Sequence, residues 1–139
     1  KSFTVTGTDV NGDAQTESIT GANDGTATGT SYFLTISGIS AVGNPAGNVS
    51  AGVNASAADV IFSGRSRLRG VGLTSTGTAG NIDFLNTSPS GTSIMKVSSV
   101  GSATSTRDLK IPDEGVLFTS GIYIQYTVST FLTLTAFHA

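Results

Sequence analysis

No stretch of this chain can be written as a helix. A helix needs apolar residues recurring about every 3.6 positions over ten or more residues, and each window of that length is broken by Gly or Pro or crowded with β-branched side chains. What recurs instead is period-two alternation of Thr, Val, Ile, Phe and Tyr, the pattern of half-buried strands. Nineteen serines, twenty-one threonines and eighteen glycines fill 58 of the 139 positions, and only 12% of residues are charged. Such a bias can mark a disordered linker, but here the β-formers are interspersed through it, which argues for order. Solubility then rests on hydroxyls and exposed backbone more than on charge. The expected fold class is all-β: an antiparallel β-sandwich, jelly-roll-like, preceded by an N-terminal segment rich in β-hairpins.

The elements can be placed from turn chemistry. Phe3 to Asp9 and Asp13 to Thr20 flank the turn tract Val10-Asn11-Gly12. A two-residue Asn11-Gly12 loop sets Val5 opposite Ser18 and strands Ile19 on the wrong face. A three-residue loop, with Gly12 in the left-handed conformation, sets Phe3 opposite Ile19 and keeps the apolar side chains together, and is preferred for that reason. A further strand is expected around Tyr32 to Ser37, with Tyr32, Leu34 and Ile36 on one face and Phe33, Thr35 and Ser37 on the other. Residues 41 to 58 hold little that anchors, and composition changes near residue 54, so the expected division is 1–54, a hairpin module or arm, and 55–139, the sandwich. Eight short strands are expected in the second part: Asp59 to Ser63, Arg65 to Ser75, Asn81 to Asn86, Ser93 to Ser98, Thr106 to Ile111, Gly115 to Thr119, Ile122 to Val128 and Thr130 to Phe137.

Several functions have little to stand on. A formal net charge of −2 does not suit a general nucleic-acid binder, which needs excess Lys and Arg to displace counterions. With no Cys there is no disulfide, no thiolate metal site and no Cys-His pair, and the lone His138 is the one residue that could serve a Ser-His-Asp triad. The most apolar tract, Ile122 to Phe137, is too broken by Gln125, Thr and Ser to span a membrane as a helix. The numbering opens at Lys1 without a Met, which leaves room for residues upstream. The expectation is therefore a non-enzymatic protein with no catalytic residues, no cofactor and no metal.

Two acidic patterns have competing readings. Asp9-Val10-Asn11-Gly12-Asp13 with Glu17 places oxygen ligands at alternate positions, as a calcium loop does, but Gly and the closing acid fall at the wrong places and no helix flanks them. Hairpin chemistry explains the same residues. Pro112-Asp113-Glu114-Gly115 reads as a type I turn with Pro at its second position, its acids either solvated or in an intersubunit salt bridge. The sequons at Asn48, Asn54 and Asn86 are what a chain so rich in Ser and Thr produces by chance.

The one charge pattern with direction is Arg65, Arg67 and Arg69. On a strand these share a face, forming a basic stripe about 13 Å long. It reads either as an edge strand protected by charge or as a protein interface, since Arg makes bidentate carboxylate pairs; an anionic glycan or nucleic acid is the remaining partner. Directly after it, Gly70 and Gly72 leave one face bare, which lets another backbone or an aromatic ring approach.

Three segments resemble a known kind of protein. Gly64-Arg65-Ser66-Arg67-Leu68-Arg69-Gly70-Val71-Gly72-Leu73, running through Gly80 to Ile82-Asp83-Phe84, resembles small structural proteins of marine tailed bacteriophages, in which a basic strand leads into a glycine turn. Leu109-Lys110-Ile111-Pro112-Asp113-Glu114-Gly115-Val116-Leu117-Phe118 is similar to the segment that closes that unit, and Phe3 to Gly21 to a β-rich module repeated in virion proteins. The resemblance implies an oligomeric β-sandwich with a virion role and no catalysis, and it transfers no site residues. A short chain without heptads or long repeats suits head decoration better than a fibre shaft. The expected role is a capsid decoration or cement protein on the capsid surface, contacting the major capsid protein and copies of itself, by analogy as a trimer, with no specific nucleic acid and no membrane. The alternatives are a tail, fibre or glycan-binding adhesion module, for which Tyr32, Tyr123 and Tyr126 are the available stacking rings, and a self-assembling tube or filament subunit.

Overall fold

The turn at Val10-Asn11-Gly12 sets the first pairing. In the computed structural model, which describes all residues Lys1–Ala139, Gly12 has φ of 89°, and Asp9 and Asp13 are hydrogen-bonded across it. The loop is thus the three-residue one, and β1 (Ser2–Thr8) pairs with β2 (Ala14–Thr20) with Phe3 opposite Ile19, as the apolar pattern requires. β3 (Thr35–Ala41) joins the other side of β1, giving the order β2-β1-β3. These strands belong to a unit spanning Lys1–Asn54.

β3 starts later than expected. Tyr32, Phe33 and Leu34 lie outside the strand, because their backbone is already engaged: the Gln15 side-chain amide donates to the Tyr32 carbonyl, and Leu34 N–H donates to Thr8 O. Glu17 holds the same loop from β2, its carboxylate accepting from Thr30 N–H, the Thr30 hydroxyl and Ser31 N–H. The β1–β3 register shifts between Thr6 and Gly7, and a Cβ on Gly7 would overlap the Thr35 carbonyl, so only Gly permits this approach. One face of the sheet carries Phe3, Val5, Ile19, Ile36 and Ile39, with Val5 buried. The opposite face carries Ser and Thr hydroxyls, among them the bonded pairs Ser2–Ser18 and Thr8–Thr35.

The second unit, Ala55–Ala139, holds eight strands: β4 (Ser56–Phe62), β5 (Ser66–Ser75), β6 (Gly80–Asn86), β7 (Thr92–Ser99), β8 (Ser105–Lys110), β9 (Val116–Phe118), β10 (Ile122–Thr127) and β11 (Phe131–His138). They form two antiparallel sheets, one ordered β4-β10-β6-β7 and the other β11-β5-β8, with β9 also on β5. Leu68, Val71 and Leu73 of β5 and Phe118 of β9 meet Ile82, Phe84, Val97, Ile122 and Ile124 of the other sheet in one buried cluster. A sandwich-like core shared by two sheets follows from that contact. Strand order does not establish a jelly-roll winding: the first strand of the unit lies beside β10 and the last beside β5.

Candidate protein interaction surfaces

The basic stripe sits at an irregular place in the second unit. β5 is flanked on both sides, so the reading of an edge strand guarded by its charges does not hold. Arg65 falls in the bend before the strand, while Arg67 and Arg69 are on it, pointing away from the core that Ser66 and Leu68 face. Across from Gly70 lies Phe137 and across from Leu68 lies His138, so Arg69 is the extra residue of a bulge. The bulge switches the buried face of β5: Ser66 and Leu68 are inward before it, and Val71, Leu73 and Ser75 after it. Gly70 gives the clearance for this, with the Phe137 ring and the Leu109 carbonyl close to where a Cβ would stand.

On the other side of β5, β8 and β9 are one interrupted strand. Gly70 pairs with Lys110 and Leu68 with Val116, so the chain leaves the sheet at Pro112 and returns after Gly115. The turn differs from the expected type I. Gly115 N–H bonds to Pro112 O, which puts Pro112 at the first position, and the central Asp113 has a positive φ of 55°. That mirror-image geometry lets the chain rejoin the same edge it left. Gly115, with φ of 78°, completes the return, and a Cβ there would overlap the Leu68 carbonyl.

Arg67 is committed to this excursion. Its guanidinium lies 3.2 Å from the Glu114 carboxylate and donates to the Gly115 carbonyl. The acid expected either to be solvated or to bridge subunits thus has a partner within its own chain. Arg65 and Arg69 are exposed and form no ion pair or hydrogen bond through their side chains within the chain, so their charges face solvent. The excursion therefore leaves two of the three cations for an acidic partner.

The remaining chemistry-bearing residues serve structure. Asp9 Oδ1 accepts from Asn11 N–H at 2.8 Å and Asp13 N–H at 3.0 Å, capping its own turn. Desolvation acts to raise the Asp9 pKa, but the N–H donors of Asn11, Asp13 and Gly12 together with the Asn11 amide outweigh it and hold the carboxyl below its ordinary value. Glu17 is turned to the Thr30–Ser31 loop and not to that turn. His138 Nδ1 lies 3.3 Å from the Ser66 hydroxyl and its ring packs on Phe62. Ser66 is 3% exposed and also donates to the Ala139 main-chain oxygen, so the pair fastens the end of β11 to β5 and offers no accessible nucleophile.

A second surface was not legible in the expected sites. From Gly25 to Ala58 there is no Asp, Glu, Lys or Arg, and along this stretch Leu34, Ile36, Ile39, Val42, Val49 and Val53 are all large apolar residues open to solvent. Ile36 and Ile39 of β3 are 55% and 48% exposed, and Val53 is 99% exposed. Charge absence over so long a run was the sequence signal that could have found it. In the second unit, Leu132 and Phe137 of β11 are similarly open, and beside β11 a cleft of ≈ 280 Å³ is lined by Ile61, Ile124, Tyr126, Phe131 and Leu134 among others. Of the tyrosines considered as stacking rings, Tyr123 is buried and Tyr126 lines that cleft. Compared with family models, curated proteins and solved structures, the chain has no significant match.

Proposed function

We propose that this chain is a structural subunit of a phage virion, a decoration or cement protein that binds the head surface and copies of itself. The observation that carries the assembly reading is the charge-free run with its exposed Leu34, Ile36, Ile39, Val42, Val49 and Val53. Contiguous exposed apolar surface on a soluble chain marks a place that another molecule covers. Arg65 and Arg69 add a second, charged contact suited to acidic groups of a shell protein. Many copies on one particle would strengthen such contacts through multivalency. The phage context comes from the resemblance of the Gly64 to Phe84 and Leu109 to Phe118 segments.

The test is the copy number of the chain relative to the major coat protein in purified particles from its source, by quantitative mass spectrometry. A ratio of one, or a simple fraction of it, is expected. A few copies per particle would move the chain to the tail or a fibre, and absence from particles would end the virion reading.

A further inference from the structure

The two sheets of the second unit and the single sheet of the first expose six edge strands: β2 and β3, β4 and β7, β8 and β11. An open edge presents unpaired N–H and C=O groups, and proteins that stay apart protect such edges with charge, Pro or a cover. Four of the six have charge: Glu17 on β2, Asp59 on β4, Lys96 on β7, and Arg107, Asp108 and Lys110 on β8. β3 and β11 have no Asp, Glu, Lys, Arg or Pro at all. These same two strands carry exposed large apolar side chains, Ile36 and Ile39 on β3 and Leu132 and Phe137 on β11.

We propose that β3 of one copy pairs with β11 of a second copy, adding a strand to the β11-β5-β8 sheet. This rests on the reading of the chain as an assembly subunit and names the surface that assembles. Three observations choose a second copy as the occupant of both edges. The pairing joins two uncharged strands, so no ion loses its hydration on contact. It covers both unguarded edges with one kind of contact, whereas β3 on β3 would leave β11 open. The ≈ 280 Å³ cleft lies between β11 and β4, both edge strands, and accepts aliphatic side chains of the kind β3 exposes. A contact between different surfaces on two copies repeats head to tail, closing into a ring or continuing as a filament.

Charge placed on each edge tests the pairing. Ile39→Lys and Leu132→Glu alter exposed side chains, and far-ultraviolet circular dichroism checks that each variant keeps its strand content. In analytical ultracentrifugation the full-length chain is expected to self-associate, either substitution alone to weaken association at least tenfold, and Ile39→Lys combined with Leu132→Glu to recover a substantial part of it. Loss on Ile39→Lys with indifference to Leu132→Glu would point to β3 on β3 and overturn the proposal, as would the converse. A chain that is monomeric at every accessible concentration would also overturn it. That result would leave the virion reading to the copy-number measurement, which does not depend on which edge is used.

Discussion

Asp9 caps its own turn, and its ionisation can be read out as stability. Its folded-state pKa is depressed, so folding is favoured by its charge above the ordinary aspartate range and that contribution is lost as pH falls through the depressed value. Asp9→Ala should therefore be less stable than the parent at neutral pH, with the gap constant down to about pH 5 and closing below about pH 4. Urea midpoints at a series of pH values measure it, and a gap that does not vary with pH would assign the cap to something other than the carboxylate. Two glycines separate backbone conformation from crowding. Gly12 has φ of 89° with nothing within 4 Å of where a Cβ would stand, whereas Gly115 has φ of 78° and the Leu68 carbonyl in the way. Gly12→Ala should cost about 1 kcal/mol for the left-handed conformation alone. Gly115→Ala should cost more, about 2–4 kcal/mol, because strain and overlap add. Equal losses in denaturant unfolding would mean that the return of β9 to β5 tolerates displacement.

At the scale of elements, β9 has only three residues and is held by what it buries. Phe118 is fully buried against both sheets, so Phe118→Ala should destabilise by about 3–5 kcal/mol. Leu109→Ala on β8, where the side chain is 37% exposed, should cost about 1 kcal/mol in the same unfolding measurement. Most elements were legible because alternation and turn residues are local signals. The eight strands expected after residue 58 are all present within a few residues, and the hairpin register follows from Phe3, Val5 and Ile19 sharing a face. The bulge at Arg69 and the excursion at Pro112–Gly115 were not legible, since an extra residue is defined only against the partner strand, here β11 on one side and β8 with β9 on the other. For the same reason the sequence offered the three arginines as an equivalent set. Arg67 differs because Glu114, far along the chain, is folded against it. The start of β3 was misplaced because Gln15 and Thr8 claim the backbone of Tyr32 and Leu34.

For the whole molecule, the charge pattern separates two kinds of contact that salt will tell apart. The run from Gly25 to Ala58 has no charge, so association through it is apolar and backbone-mediated and should be insensitive to ionic strength or strengthened by it. Arg65 and Arg69 are solvent-facing cations on a chain of formal net charge −2, and attraction between them and acidic shell groups is screened beyond about 10 Å at 0.1 M salt. Removing all three arginines would also break the Arg67–Glu114 pair, whose partners are exposed enough that it is worth about 0.2–1 kcal/mol. The cleaner variant is therefore Arg65→Ser with Arg69→Ser, which keeps the excursion closed. Binding of the parent chain to particles stripped of it should weaken several-fold when salt rises from about 0.05 to 0.5 M. The double variant should start weaker and lose most of that salt dependence, while its self-association in solution stays as it was. Co-sedimentation with particles across a salt series measures the first and ultracentrifugation the second. Unchanged binding by the double variant would remove the arginines from the shell contact and leave the uncharged edge as the surface that holds the protein in place.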